Sequence, residues 1–313
     1  MDAIEKLKDV FNKKRTDAEY TATLNKYKVF ENPEFKKLYN ECKQLSLNVA
    51  RAEYLNQNAT VSRNAFKKLK AELYSKLEKA GINIKSLYPQ YECNKCHDTG
   101  LTKNGYCDCF KKELSKLLLN ESGLSDKKLP DFDNIKTDII TNKQQKSEYT
   151  NVSALLKEYI NIIPNNTKHV ITLIGEVGVG KTYLLKACVN EAIKKELYCY
   201  YTTAFALNQD MLKYHLSDLE GKDAVIRKYL DCDLLCIDDL GTENTIKNVT
   251  VEYLYFIINE RLQSNKNTII TTNLTPQQIM QNYDERIFSR IANKKDCILI
   301  NMTGDDLRLK NGK

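Results

Sequence analysis

The stretch that decides the fold is GEVGVGKT, residues 175–182, which follows the apolar run VITLI and precedes KTYLLKACVNEAIKKEL. It fits the pattern G-x-x-x-x-G-K-[ST], and it has the strand before it and the helix after it that the pattern requires. Glycines allow the backbone N–H groups of such a loop to point inward at phosphate oxygens, in conformations that a Cβ would obstruct. The N-terminus of the next helix adds partial positive charge. The stretch therefore predicts a phosphate-binding loop within an α/β fold.

Each residue of this loop is a candidate nucleotide contact. We expect Lys181 to reach the terminal phosphates of ATP and Thr182 to bind Mg²⁺. A glycine-rich turn without a ligand is the alternative. The expected nucleotide-binding residues are Gly175, Glu176, Val177, Gly178, Val179, Gly180, Lys181, Thr182 and Tyr183.

A second apolar run, DLLCIDDLG at residues 233–241, contains two adjacent carboxylates near its end. One carboxylate, Asp238, can hold Mg²⁺ while its neighbour, Asp239, polarises the attacking water. An acidic pair after an apolar run is by itself weak evidence for a catalytic site, because it could belong to a capping turn. It lies about 55 residues after a phosphate loop, and in that position the pair predicts an ATP-hydrolysing site.

The chain has eight arginines, and three of them fall within the last 28 residues. Arg286 and Arg290 are four residues apart, so they share a face if the segment is helical. Arg308 follows in GDDLRLK. Hydrolysis of a γ-phosphate favours a planar, permanently charged donor at the transition state, and Lys is a poor substitute. The alternative is that these are surface arginines paired with Asp284 or Glu285.

The chain changes character along its length. Before residue 80, apolar residues recur at spacings of three and four, which predicts amphipathic helices, one starting at NPEF and another ending at Gly81. After the polar stretch ESGLSDKKLPDFDNIKTD, five short apolar runs alternate with helical segments, which is typical of a parallel sheet. We predict a helical and zinc-binding domain at residues 1–119, a linker at 120–145 and an ATPase domain at 146–313.

The net charge of +7 is confined to the front of the chain, where 18 basic residues face 11 acidic ones up to Gln90. This excess suits nucleic acid or an acidic partner, although the general use of Lys along the chain is a simpler explanation. The first residues are highly charged, and the most apolar run, LYCYYTTAFAL, is too short to span a bilayer. We therefore expect a cytoplasmic protein without a membrane partner.

Four cysteines cluster in ECNKCHDTGLTKNGYCDCF, and they are Cys93, Cys96, Cys107 and Cys109. Within this stretch, CNKCH matches the c-type haem attachment pattern. Haem attachment and stable disulfides both require export, for which the sequence has no signal, and a redox pair would need a thioredoxin-like context. Two close cysteine pairs can instead surround one tetrahedral Zn²⁺. We predict a structural zinc site, with His97 as an alternative ligand.

In combination, these motifs resemble the AAA+ ATPases of the bacterial helicase-loader group, the DnaC/DnaI type, with the transposition helper IstB as a sister branch. The resemblance covers about Phe132 to Arg308 and rests on GEVGVGKT, LLCIDDLGTE, IITTN, ERIFSRI and GDDLR. It implies a P-loop AAA+ fold, with a parallel five-stranded sheet that lacks the C-terminal lid, preceded by a small helical zinc-binding domain.

Carried over by position, the resemblance assigns further roles. Lys181 and Thr182 would bind phosphate and Mg²⁺, and Asp238 would hold the metal through water. Asp239 would take the place of the catalytic acidic residue, and Asn273 would be the sensor that orients the water or contacts the γ-phosphate. Arg290 would reach the nucleotide of a neighbouring subunit with Arg286 as its companion, and Arg308 would be a second sensor. The expected catalytic residues are Lys181, Asp238, Asp239, Asn273, Arg286, Arg290 and Arg308.

The cysteine segment also resembles the front of DnaI-type loaders, in which a small zinc fold docks on the replicative helicase, whereas IstB-like proteins lack it. The resemblance implies an ATP-dependent loader of the replicative DNA helicase onto single-stranded DNA, with ATP hydrolysed at subunit interfaces. It also implies self-association through the ATPase domain, and ATP, Mg²⁺ and Zn²⁺ as ligands. The alternatives are an IstB-like ATPase that assists a transposase, a P-loop kinase, and a zinc adaptor with an inactive ATPase site.

Overall fold

The computed structural model describes residues 3–121, 124, 129–135, 137–217 and 219–308, and for residues 121 and 219–224 it describes the backbone alone. The chain divides into two compact units. One is Lys6–Gly105, and the other is Tyr106–Lys313 together with Met1–Glu5. Within the described ranges, no helix is both long enough and apolar enough to cross a membrane.

The chain up to residue 106 is mainly helical. Its elements are α1 (Ala3–Val29), α2 (Pro33–Tyr54), α3 (Thr60–Lys79), a 3₁₀ turn (Ile84–Leu87) and the short strands β1 (Leu101–Thr102) and β2 (Gly105–Tyr106). The core of the smaller unit is centred on Cys42, Leu73, Leu77 and Leu87. Apolar residues at the predicted helical spacings, such as Phe35 and Leu69, pack against it. The amphipathic helices expected from the sequence are confirmed.

The boundaries of these helices follow local sequence. The Asn32 side chain accepts hydrogen bonds from the backbone N–H groups of Glu34 and Phe35, and Pro33 occupies the first helical turn. At the other end, α3 stops at Lys79, and Gly81 follows with a φ of +74°. The predicted start and stop are therefore where the capping residues place them.

The larger unit is α/β. Its elements are α4 (Asp108–Glu121), a 3₁₀ turn (Phe132–Asn134), α5 (Lys143–Asn161), β3 (Val170–Gly175), α6 (Lys181–Lys194), β4 (Cys199–Thr203), α7 (Ala204–Leu216), α8 (Leu219–Leu230), β5 (Leu234–Leu240), α9 (Thr250–Gln263), β6 (Asn267–Thr272), α10 (Pro276–Tyr283), α11 (Glu285–Ala292) and β7 (Cys297–Met302). Five strands form one sheet in the order β4-β5-β6-β3-β7, and every pairing is parallel. The predicted parallel five-stranded sheet is confirmed.

Burial explains why these strands appear as apolar runs in the sequence. All six residues of β6 are buried, as are nearly all of β3 and β5, because helices cover both faces of a parallel sheet. In the edge strand β7, intermediate and exposed positions alternate between two buried end residues. Burial thus distinguishes the central strands from this edge strand.

The register of the sheet positions the site. β3 lies next to β6, with Ile174 opposite Thr272, and β5 lies between β6 and β4, with Thr203 opposite Asp238. Parallel strands end at the same edge of the sheet, so the segments that follow β3, β5 and β6 meet there. Ligands of open α/β sheets bind in the crevice at this edge.

Part of the segment predicted to be a linker lies in the core of the larger unit. Leu124 and Ile140 are buried there, and Phe132 packs against the same cluster. Residues 122, 123, 125–128 and 136 of this segment are outside the described residues. The domain limits of 1–119, 120–145 and 146–313 stay a prediction.

Candidate active site

The phosphate loop connects β3 to α6, and two of its glycines have left-handed backbone. Gly178 has a φ of +88° and Gly180 a φ of +97°. A Cβ at Gly178 would lie 2.0 Å from the Asp306 carboxyl carbon, and one at Gly180 would lie 2.6 Å from the Tyr149 ring. Both conformation and space therefore require glycine at these two positions.

The lysine of the loop is held by three acceptors. Lys181 is 5% exposed, and its Nζ donates to the carbonyl oxygens of Gly175 and Glu176 at 2.6 and 2.7 Å and to Asn273 Oδ1 at 2.7 Å. Burial lowers the pKa of Lys181, and the nearby carboxylates of Asp239 and Asp238 oppose that shift. The lysine and the predicted sensor residue, Asn273, are thus brought into direct contact.

The second acidic motif places its first carboxylate beneath the loop. Asp238 is 2% exposed, and its Oδ1 accepts hydrogen bonds from the hydroxyls of Thr182 at 2.9 Å and Thr271 at 2.6 Å. Its Oδ2 accepts one from the Tyr201 hydroxyl at 2.7 Å. A threonine hydroxyl beside a carboxylate is an oxygen donor set that suits Mg²⁺. Thr182 and Asp238 therefore fit the magnesium role expected of them.

The second carboxylate has a different environment. Asp239 has a φ of +55°, and its backbone N–H donates to Thr271 Oγ1 at 2.9 Å. Burial and the neighbouring Asp238 raise the pKa of Asp239, against the opposing charges of Lys181 and Arg308. A carboxylate with a raised pKa is a stronger base, which suits a group that orients and polarises a water.

A cavity of about 510 Å³ lies over the loop. It is lined by the phosphate loop, by Asp239 of the acidic motif, by the predicted sensor Asn273 and by Arg308. Its lining residues are Val177, Gly178, Gly180, Lys181, Thr182, Tyr183, Lys186, Asp239, Asn273 and Arg308. Three of the predicted loop contacts, Gly175, Glu176 and Val179, do not line it, and the Val179 side chain is buried in the core of the larger unit.

The two arginines of ERIFSRI lie elsewhere. Arg286 and Arg290 are on α11, outside the cavity lining, and their guanidinium carbons lie 4.9 and 4.3 Å from the centroid of the Tyr255 ring. Arg290 also donates to Asn259 Oδ1 and to the Tyr255 hydroxyl. Arg286 and Arg290 therefore share one face of α11, as expected, and this face contacts Tyr255. Arg286 additionally pairs with Asp284 at 2.8 Å, the surface pairing held open as an alternative.

The four clustered cysteines also come together. The sulfur atoms of Cys93, Cys96, Cys107 and Cys109 all lie within 4.8 Å of one another. A tetrahedral Zn²⁺ bonded to four thiolates separates the sulfurs by about 3.8 Å, so the donor set and its spacing fit zinc. His97 is not part of this group, and its ring packs on Tyr91 with centroids 5.0 Å apart.

Comparison with known proteins agrees with this geometry. Residues 151–295 match the protein family described as the bacterial DnaA ATPase domain. The larger unit thus contains a DnaA-like ATPase domain. The AAA+ resemblance inferred from the sequence motifs is confirmed for this part of the chain, and such a domain is of a nucleotide-binding ATPase type.

Individual relatives cover different shares of the chain. It is 28% identical over 217 residues to the uncharacterised protein YqaM of Bacillus subtilis (strain 168), covering 67% of each chain. It is 32% identical over 127 residues to the chromosomal replication initiator protein DnaA of Campylobacter jejuni subsp. jejuni serotype O:6 (strain 81116 / NCTC 11828), covering 39% of this chain and 27% of DnaA. The chain therefore spans well under half of that relative. The crystal structure of DnaI matches with a TM-score of 0.43 and 20% identity, covering 57% of this chain and 90% of that one.

Three residues of the larger unit have contacts at the site that the sequence motifs did not predict. Tyr201 and Thr271 hold Asp238, and Gln145 contacts the segment that carries Arg308. The role of Thr271 could have been predicted, because it lies two residues before Asn273 in the motif IITTN. The other two depend on which strands and helices are neighbours, and nothing local in LYCYYTT or in the start of α5 indicates that.

Proposed function

We propose that this chain is an ATP-dependent loader of the replicative DNA helicase. In this proposal the ATPase domain binds and hydrolyses ATP while assembled with copies of itself on single-stranded DNA. The front part of the chain, with its zinc site, binds the helicase. The proposal places the protein in replication initiation, the process named in the DnaA relatives.

The chemistry of the proposed hydrolysis follows from the site residues. Lys181 would bind the terminal phosphates, while Thr182 and Asp238 would hold Mg²⁺, which supplies neutralisation of the phosphate charge. Asp239 would orient a water whose oxygen attacks the γ-phosphorus as the bond to the β-phosphate oxygen breaks. The water proton would pass to the Asp239 carboxylate, and ADP would leave.

Completion of this site by a second subunit is supported by the arginines. Arg290 is fixed on the Tyr255 ring, outside the cavity of its own chain, and in the proposal it reaches the nucleotide of a neighbouring copy. An arginine supplied in this way accelerates phosphoryl transfer by roughly 10³ to 10⁵. Replacing Arg290 by Ala should therefore remove hydrolysis that depends on assembly and leave ATP binding by the single chain in place.

The observation that carries the loader proposal is the cysteine cluster. Four sulfur atoms within 4.8 Å of one another precede a DnaA-like ATPase domain. Zinc binding of this kind is worth roughly 10–16 kcal/mol, which is enough to fold a segment too small to fold unaided. By the motif resemblance described above, such a segment is typical of DnaI-type loaders and is missing from IstB-like transposition helpers.

The test is to mix the full chain with the replicative helicase of the same organism and to measure the mass of the complexes by light scattering, with ATP, with ADP and without nucleotide. The proposal expects a complex that is weakened by Cys96→Ser and by zinc chelation. Cys42→Ala, which changes a buried cysteine of the smaller unit outside the cluster, is the matched control. A protein that hydrolyses ATP but forms no complex with the helicase under any condition would refute the loader proposal and favour another DNA-remodelling ATPase.

A further inference from the structure

The segment after β7 contacts both the phosphate loop and α5. We call residues 303–308 the strap. Its backbone is bonded to the loop itself, because the Leu307 N–H donates to the Gly178 carbonyl at 3.0 Å. The Leu307 side chain is 7% exposed and belongs to the core of the larger unit. The next residue, Arg308, lines the cavity.

One side chain of α5 holds the middle of the strap. Gln145 is 4% exposed. Its Nε2 donates to the Asp305 carbonyl at 3.0 Å, and its Oε1 accepts from the Asp305 N–H at 3.1 Å. Both polar atoms of the buried amide are therefore used on one residue of the strap. A second, weaker contact joins the Thr303 hydroxyl to Glu148 Oε2 at 3.2 Å.

A glycine makes this approach possible. Gly304 has a φ of +133°, and a Cβ there would lie 2.1 Å from Cδ of Gln145. Any side chain at this position would have to displace the amide, since the nearest atoms are its carbon and nitrogen. This explains physically why the motif GDDLR begins with glycine, which the sequence motif alone did not.

The strap leaves Arg308 where it can contact a ligand of the phosphate loop. Its side chain is 66% exposed, and its Nε lies 3.4 Å from Asp306 Oδ1. A long exposed side chain is fixed only as well as the backbone that carries it, and a functional group needs support from residues around it. The strap provides that support through Gln145 at one point and Gly178 at the other.

We propose that Gln145 is a positioning residue for Arg308: its amide fixes the strap so that the Arg308 guanidinium reads the γ-phosphate of bound ATP. The inference rests on the proposed ATPase function of this cavity. It predicts that removing the Gln145 amide reduces the preference for ATP over ADP as removing the Arg308 side chain does, although Gln145 does not line the cavity.

The experiment measures the dissociation constants of Mg·ATP and Mg·ADP for the full chain and for Gln145→Ala, Arg308→Ala and the double variant. A charge-assisted hydrogen bond corresponds to about tenfold to a hundredfold in affinity. Arg308→Ala should reduce the preference for ATP over ADP by that factor, and Gln145→Ala should approach the same value. The double variant should lose no more of this preference than Arg308→Ala does. The affinity for ADP should stay unchanged in all three variants, whereas general damage to the fold would weaken it.

Two further variants keep the test decisive. Thr150→Ala removes another polar side chain of α5, whose hydroxyl donates to the Lys146 carbonyl within the helix, and should behave as wild type. Gly304→Ala disturbs the same contact from the strap side, so it carries the test if Gln145→Ala does not fold. It too should reduce the preference for ATP.

The outcomes separate this inference from the proposed function. If the wild-type chain does not bind ATP, both are refuted. If it binds ATP and Arg308→Ala loses the preference while Gln145→Ala and Gly304→Ala keep it, the positioning role alone is refuted. If Arg308→Ala itself keeps the preference, Arg308 does not read the γ-phosphate, and the inference fails while the ATPase proposal stands.

Discussion

Replacing Tyr201 by Phe should disturb the proposed magnesium site without changing a predicted ligand. The hydroxyl of Tyr201 donates to Asp238 Oδ2 at 2.7 Å, and the two residues are 5% and 2% exposed. Burial, reinforced by the charge of Asp238, raises the pKa of Tyr201 well above its ordinary value. The hydroxyl therefore stays protonated and remains a donor throughout the neutral pH range.

The magnitude follows from the charge of the acceptor. A hydrogen bond to a charged group contributes about 1.5–3 kcal/mol, and one between neutral groups about 0.5–1.5 kcal/mol. Tyr159 provides a matched control, because its equally buried hydroxyl donates at 2.8 Å to the neutral Asn267 Oδ1. Tyr201→Phe should therefore reduce the free energy of unfolding by about twice as much as Tyr159→Phe.

The functional consequence should be specific to Tyr201. Loss of a hydrogen bond that orients a metal ligand typically weakens metal affinity by roughly 10- to 100-fold. The Mg²⁺ concentration for half-maximal ATP hydrolysis should rise by about that factor in Tyr201→Phe and stay unchanged in Tyr159→Phe. Urea unfolding and a magnesium titration at saturating ATP measure the two effects. Equal losses of stability with an unchanged magnesium requirement in both variants would refute the idea that Tyr201 orients Asp238.

Three further predictions concern other parts of the chain. Cys96→Ser should reduce bound zinc from about one ion per chain to none, measured by metal analysis after dialysis. Arg261→Met should lower the free energy of unfolding by at least about 3 kcal/mol in urea, because the 1% exposed guanidinium donates to several buried backbone carbonyls. Burial alone would raise the pKa of Asp233, but Lys266 and Lys111, each 3.0 Å away, outweigh it and hold that pKa below its ordinary value. The ionised Asp233 carboxylate therefore stabilises the fold fully above its unfolded pKa of about 3.9, and this stabilisation is lost as the pH falls through the lower pKa of the folded state. Asp233→Asn should have a lower free energy of unfolding than wild type at pH 7, and that free energy should change less on acidification.

Much of the ATPase fold was predictable because its signals are local. The central strands β3 and β5 are buried on both faces and contain the apolar runs VITLI and LLCI. The phosphate loop is recognisable from glycines that both φ and space require. The motif resemblance then assigned residues from distant parts of the chain to one nucleotide site, and the structure brings several of them together. The contact between Lys181 and Asn273, 92 positions apart, is the clearest case.

The contacts that could not be predicted depend on which elements become neighbours. Tyr201 reaches Asp238 because β4 pairs with β5, and Thr203 lies opposite Asp238 in that register. The sequence of β4 is equally compatible with a place at the opposite edge of the sheet. Gln145 is similar, since a polar residue in the first turn of α5 would ordinarily be solvated. Its burial depends on a strap 160 positions away.

The arginine pair shows how local spacing and tertiary context combine. Spacing alone placed Arg286 and Arg290 on one face, but it could not distinguish a solvated face from a functional one. The structure adds Tyr255, whose ring contacts both guanidinium groups, and Asn259, which accepts from Arg290. Stacking on an aromatic ring restricts a long side chain while leaving part of its hydrogen-bonding edge available. A group that is held on its own subunit, yet lies outside that subunit's cavity, is arranged as an arginine supplied to a neighbouring copy would need to be.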